Sequence, residues 1–298
     1  MAKLSKPFQI VGNTKNVVSV LDFTGVDPTG AADSSVGIQD AADAASALVT
    51  TISNTMDGAG AGILTDHYGV DLVFGAGKYS ISTEIIIDPR VNIRAEGRAE
   101  LFGDDTGKCF VFDGDVTGTV KNIIFRDFTT AVEFDTNNIS AGMWYFEDVA
   151  FYNCTTGIDS KAYADSRSTI LAINGLRGGG TDTFVKSYTD VLWMNRVFVW
   201  NKDASPCFQV DSRALVQNSA LIPVNAVAGA RWFDFLSTTD DVRSLTFDNV
   251  RFSGENGGIT AVITTLKVLT HHETLLVYHL EIVISPVQQA ALAIMGVL

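Results

Sequence analysis

Cysteine is scarce in this chain: Cys109, Cys154 and Cys207 are the only three in 298 residues, far apart and without a CxxC pair. That count and spacing argue against a disulfide framework and a structural zinc site, and leave buried free thiols. Histidine is almost as rare, with His67, His271, His272 and His279. Neighbours on a strand face opposite ways, so His271, His272 and His279 do not form a convergent metal set, and neither metal nor cofactor is expected. Basic residues fall short of acidic ones, 21 against 34, for a net charge of −13. Such a balance argues against nucleic acid or an anionic membrane as partner and leaves glycans open, whether neutral or acidic and bridged by cations. A long apolar run is also lacking. The most apolar stretch, from Thr274 to Leu298, is interrupted by His279, Glu281, Pro286, Gln288 and Gln289, so no spanning helix is expected. The first residues, "MAKLSKPFQIVGNTKN", have positive charge without the apolar core of a secretory signal, so no standard leader is expected.

What is present is ample material for a core: 46% apolar residues and a mean hydropathy of +0.20, enough for one large domain or two small ones. Near the start, "SVLDFTGVDPTGAADSSVGIQDAADAA" (19–45) joins a turn to a helix. Asp27-Pro28-Thr29-Gly30 is a strong turn signal, with Pro fixing φ at its second position. Ser34 or Ser35 can serve as N-cap, and Val36, Ile38, Ala41, Ala42, Ala45, Leu48 and Val49 have helical apolar spacing through about Thr51. After the flexible "DGAGAG" (57–62) the period changes to two. "DLVFGAGKYSISTEIIID" and "VNIRAEGRAELFG" read as short strands between Gly-rich and charged turns, and strand signals continue almost to the end.

Two ladders run through those strands. The first, "IIFRDF", "WYFEDV", "LWMNRV" and "LTFDNV", begins at Ile123, Trp144, Leu192 and Leu245, with weaker copies at Leu171 and Ala214; its gaps are 21, 27, 21, 22 and 31 residues. The second is more regular. "FVFD", "VEFD", "IDSK", "FVKS", "FQVD", "FDFL" and "ITAV" have Val111, Glu133, Asp159, Val185, Gln209, Asp234 and Thr260 in second place, at spacings of 22, 26, 26, 24, 25 and 26. A β-sandwich has no reason to keep such a beat. A parallel β-helix does, because each coil must return to the same edge about 4.8 Å further along the axis.

The opening motif, followed by "DLVFGAGKYSIS", resembles that of the pectate-lyase-like right-handed β-helix superfamily, as used in phage tailspikes, with Gly75 where that family usually has Pro and Thr24 where it often has Gly. The resemblance covers roughly Leu21 to Thr260. It implies an all-β fold: a right-handed single-stranded parallel β-helix with an N-terminal capping helix and a small C-terminal β cap. The division expected is a virion-attachment arm (1–20), the opening strand, turn and capping helix (21–57), the solenoid (58–265) and a cap or trimerisation segment (266–298). The helix would act as a lid over strand edges that otherwise invite aggregation.

Alternation along the second ladder sends Val132, Phe134, Ile158, Phe208, Val210, Phe233 and Phe235 inward, and Glu133, Asp159, Val185, Gln209 and Asp234 outward. Asp135, Lys161, Ser187 and Asp211 form the next column. In the family this sheet commonly lines a saccharide groove, and neighbouring rungs would put Glu133 and Asp159 about 5 Å apart. Two carboxylates that close tend to split their pKa values, and about 5–5.5 Å is the separation of a retaining acid and nucleophile pair. Glu133 and Asp159 are thus the candidate catalytic pair, with Asp135, Lys161, Gln209, Asp211 and Asp234 as substrate contacts. The same stripe is equally open to a reading without chemistry, as saccharide contact or as a solvated face in which Lys161 pairs with Asp135 or Asp159. Asp127, Asp148, Asn174, Asn218 and Asn249 read as turn residues that satisfy backbone donors, as stacked Asn ladders do in this family. Trp144, Tyr145, Tyr152, Trp193, Trp200 and Trp232 are candidates for stacking on sugar rings.

The pectin-degrading signatures of the superfamily are missing. Of the polygalacturonase set only Asp-Asp pairs occur, at Asp104-Asp105 and Asp240-Asp241, and neither pectate-lyase element is present. The resemblance therefore implies a tailspike or tail-fibre subunit that recognises a bacterial surface polysaccharide and has room to depolymerise it. It would be a homotrimer, joined to other virion tail proteins through the N-terminal arm and acting on the host surface. A virion protein serving only as adhesin or rigid spacer, and a bacterial polysaccharide lyase or hydrolase, are the competing classes.

Overall fold

The computed structural model describes residues 16–56, 69–88, 90–112, 118–134, 143–160, 170–201, 207–210, 213–223, 232–235, 243–253, 260–271 and 274–284. The chain forms a parallel β-solenoid. A broad sheet holds long strands, among them Val91–Phe102, Gly118–Arg126, Met143–Tyr152, Ile170–Gly179, Val191–Asn201, Arg213–Pro223 and Arg243–Ser253, each parallel to the next. A narrow sheet alternates with it along the chain. It comprises Ile85–Ile87, Lys108–Phe112, Thr130–Phe134, Thr156–Asp159, Thr183–Ser187, Phe208–Val210 and Phe233–Phe235. After Arg243–Ser253 the direction reverses. Thr260–His271 and Thr274–Ile284 continue the broad sheet as antiparallel strands, so the seventh copy of the second ladder, at Thr260, pairs with Ser253 and not with the narrow sheet.

From Gly118–Arg126 to Arg243–Ser253, each long strand bends at one left-handed residue. Asn122, Asp148, Gly175, Arg196, Asn218 and Asn249 stack at this corner, with φ between +47° and +90°. Asn, Asp and Gly reach that region most readily, so the polar pair of the first ladder is the corner itself, as in Glu147-Asp148 or Asp248-Asn249. The corner adds one outward residue: Trp144 and Phe146 are buried before it, and Val149 and Phe151 after it. A second corner, at Asp127, Asn153 and Gly180, ends the strand. "IIFRDF" belongs to this second corner, because Phe125 pairs with Phe151 and not with Phe146. Both corners need a left-handed polar residue between inward apolar ones, so their sequences look alike. Side-chain amides tie the first corner together from rung to rung: Asn249 donates to Asn218 at 2.9 Å, Asn218 to Asn195 at 3.0 Å and Asn195 to Asn174 at 3.0 Å.

Aromatic rings fill the interior along the axis. Phe110 meets Phe125 edge-on at 5.6 Å, Phe125 stacks on Phe151 at 5.3 Å, and Phe208 on Phe233 at 5.0 Å. Trp144, a candidate for sugar stacking, is 2% exposed and packs on Phe112 and Phe134. Its position four residues before the corner, on the same face as Phe146, places it inward. The three cysteines are buried thiols outside any disulfide; burial above all drives the Cys154 thiol up to about 12.

The helix Ser35–Met56 covers the N-terminal end, burying Ile38, Ala41, Ala42, Ala45 and Val49 against the strands Val70–Phe74 and Ile85–Ile87. Val36, counted in the apolar spacing, is 72% exposed. Gln39 completes the otherwise open edge of the narrow sheet as another strand would: its Oε1 accepts from the Ile86 N–H at 2.8 Å and its Nε2 donates to the Ile86 carbonyl at 3.1 Å. Ser34 stands at the N-cap, its carbonyl accepting from the Ile38 amide at 3.0 Å, but its side chain does not close the helix end. Ser34 Oγ accepts from the Asp27 amide, and the carboxylate of Asp33 accepts from the Ser35 amide at 3.1 Å.

Three carboxylates brace the lid and the turn that leads into it, Asp33 and Asp88 by bonds to the helix and Asp27 within the turn, and all lie below the ordinary aspartate value. A hydrogen bond from the Thr29 hydroxyl lowers Asp27. Burial pulls Asp33 and Asp88 upward, but bonds from Ser35 and Ser82 outweigh it at Asp33, and the Arg90 guanidinium with Ser46 outweighs it at Asp88. A lowered folded value means stability that is present above the unfolded value of 3.8 and lost as pH falls through the folded one. Acidification from pH 5 to about pH 3 should therefore loosen the lid first. Hydrogen exchange should show faster exchange in Ser35–Val49 than in Met143–Tyr152 at the lower pH; equal protection would overturn this.

Candidate functional site

The acid stripe of the narrow sheet exists, but it is not an open groove. Register sets Val111 beside Glu133, Glu133 beside Asp159, and then Lys186, Gln209 and Asp234 in turn. Val185, expected in the outward column, points into the core and is fully buried, and Lys186 takes its place because this coil holds one residue more. Glu133 and Asp159 are neighbours, as alternation requires, yet only 7% and 8% exposed. Each faces a lysine of an adjacent rung: Lys108 Nζ lies 2.9 Å from Glu133, and Lys186 Nζ 3.7 Å from Asp159. Lys186 is thus a lysine partner of Asp159 among the described residues, and Lys161, the expected one, lies outside them. Gln209 is half-buried in the same column. Asp135, Lys161 and Asp211 lie outside the described residues, as does the side chain of Asp234.

A different face carries the open groove. Beyond the first corner, alternate residues of the long strands point outward in two columns. One runs Phe102, Arg126, Tyr152, Gly179, Trp200 and Ile222; the other runs Ala150, Arg177, Phe198, Ala220 and Arg251. Together with the corner they form a groove of about 740 Å³ whose walls include Tyr152, Phe198 and Trp200 and three arginines, Arg177, Arg196 and Arg251. Phe198 is 46% exposed, an unusual state for a phenylalanine without a partner surface.

Local sequence explains how the rings are held. Gly179 has no side chain, and the indole of Trp200 lies over it, in the space that a Cβ would fill. Trp200 then touches both neighbours, with its centroid 6.2 Å from Tyr152 and 6.2 Å from Phe198. Arg126 stacks over the Tyr152 ring at 5.0 Å while its Nε donates to Glu100 at 2.9 Å. A smaller hollow of about 310 Å³, walled by Thr29, Lys78, Glu100, Phe102 and Arg126, continues the face toward the N-terminal end.

Arg196 occupies the left-handed corner at φ 57°, where its stacked neighbours are Asn, Asp and Gly. Arginine gains nothing there from the backbone and costs of the order of 1 kcal/mol. Its side chain is fixed by two acceptors, Asn174 Oδ1 at 3.0 Å and Asp148 Oδ1 at 3.1 Å. Arg177 and Arg251 are exposed, with no acidic partner among the described residues.

Of the aromatic candidates, Tyr152 and Trp200 line this groove. Tyr145 is exposed elsewhere, Trp193 donates to Gln217 at 3.0 Å, and Trp232 packs on the core. Phe198 and the arginines went unnoticed in the sequence. The signal was there: "VFVWN" alternates with its aromatics on one face, and "RGGG" one coil earlier leaves the seat for an indole.

No known protein family matches the chain, and no curated protein does either. Solved structures do. One is from Geobacillus virus E2 (ORF18), 12% identical with a TM-score of 0.27, spanning 93% of this chain and 77% of that one. Another is PfbA, a surface adhesin of Streptococcus pneumoniae, 9% identical with a TM-score of 0.30, spanning 88% of this chain and 98% of that one. At such distances neither bears on what this chain does.

Proposed function

We propose that this chain is a receptor-binding subunit of the phage tailspike type, a right-handed β-helix that holds a bacterial surface polysaccharide in the groove of Tyr152, Phe198 and Trp200. The observation that carries this reading is the gathering of outward aromatic rings and arginines on one face of the solenoid. Flat rings stack on the apolar faces of sugars, and arginine forks bond their oxygens. In this reading the protein acts outside the host cell as a homotrimer, with residues 1–20 joining it to other tail proteins. Glu133 and Asp159 serve to tie rungs together; their burial and lysine pairing support a structural part over a catalytic one.

The test is binding to a panel of bacterial surface polysaccharides by calorimetry, with release of reducing or unsaturated ends measured in parallel. Trp200→Ala is expected to weaken binding roughly tenfold or more, about 1.4 kcal/mol, at unchanged circular dichroism. Glu133→Gln/Asp159→Asn is expected to bind like the parent chain at a lower Tm. Binding unaffected by Trp200→Ala would move the site off this face. Product release that disappears in the folded acid-pair variant would make the pair catalytic.

A further inference from the structure

We infer that the polysaccharide held in this groove is anionic, with acid groups spaced several sugars apart and bonded by Arg177 and Arg251; the inference rests on the binding reading above. The chain as a whole is strongly acidic, at −13, with acids enough to pair every base it has. Elsewhere on the surface several bases are so paired: Arg90 with Asp88, Arg94 with Asp71, Lys121 with Glu147 and Arg126 with Glu100. Arg177 and Arg251, like the exposed Lys78, Arg98 and Arg213, have no acidic partner among the described residues, and of these five only Arg177 and Arg251 line the aromatic groove. Two forks left unneutralised in a field of negative charge are suited to an acid brought from outside, which they can meet in bidentate fashion.

Their placement says more. Arg177 and Arg251 lie in one outward column with Phe198 and Ala220 between them, three rungs or about 14 Å apart along the axis. A chain laid along the axis would stack a ring on Phe198 or Trp200 and present an acid to an arginine at each end. This spacing is too sparse for a nucleic acid, which carries a phosphate every 3.4 Å or so of each strand. Asp248, exposed beside the same corner, adds repulsion against so dense a polyanion while tolerating a charge every few sugars.

The experiment measures binding of the full chain to uronate-bearing capsular polysaccharides, each before and after chemical reduction of its carboxyls to alcohols, with dextran, a teichoic acid and a single-stranded oligonucleotide alongside. The expected result is binding to an acid-bearing polymer that falls roughly tenfold or more on reduction, weakens with salt, and is lost in Arg177→Ala/Arg251→Ala but partly kept in Arg177→Lys/Arg251→Lys. Binding of the teichoic acid with the same arginine dependence supports the inference with phosphate as the acid. A polysaccharide bound equally before and after reduction, or binding of dextran alone, overturns the anionic inference and leaves the glycan reading standing. Preference for the oligonucleotide, or no polymer bound at all, overturns both.

Discussion

Gly178→Ala is expected to destabilise the solenoid by about 3 kcal/mol or more, a fall in Tm of roughly 6 °C or more. Gly178 has φ +156°, and a Cβ built on it would fall inside the carbonyl oxygen of Phe151 and against the Phe184 ring. The obstacle is backbone of the adjacent rung. It cannot give way without breaking the register that pairs Phe151 with Gly178 and, through the next strand, with Val199. Close packing leaves no room for a shift to be absorbed locally. A thermal melt of the variant checks this, and a Tm within a degree or two of the parent would show that the rungs are looser than their packing implies.

One residue on, the same substitution should spare the fold and damage the site. The three atoms nearest a Cβ at Gly179 all belong to the indole of Trp200, a side chain at the surface that can lift away. Gly179→Ala should therefore melt close to the parent chain. The lifted indole loses its edge against Tyr152 and Phe198, and polysaccharide binding should weaken roughly tenfold or more, with a change in tryptophan fluorescence. Unchanged affinity in a folded Gly179→Ala chain would remove Trp200 from the binding surface. The pair of variants thus separates stability from recognition across two adjacent residues whose side chains would point to opposite faces of one strand.

Much of the architecture was legible because solenoid geometry repeats. The second ladder keeps its beat since each coil must close on itself, and the polar pair of the first ladder recurs since each bend needs a left-handed residue. The same economy produced the errors. "IIFRDF" and "WYFEDV" look alike because two different corners make the same demand, and Val185 was assigned outward because one coil holds an extra residue that a fixed motif cannot register. The corner amides read as structural bond one another from rung to rung, and Asn195, a polar position of "LWMNRV" left out of that set, is a rung of the same ladder.

For the candidate site the balance reverses. The sequence by itself determined a parallel β-solenoid, a helical lid and an inward set of apolar residues, because periodicity and turn chemistry are local properties that each coil restates. Only the tertiary structure decided which outward residues become neighbours. Tyr152, Gly179 and Trp200 lie 27 and 21 residues apart in the chain yet on consecutive rungs, and Arg177 shares one outward column with Arg251, 74 residues on. Side-chain identity at an outward position is free of the core's demands, so nothing local marks it. It also took the fold to show that Glu133 and Asp159 sit buried against lysines while the arginines face solvent, since exposure depends on what the neighbouring coils place alongside.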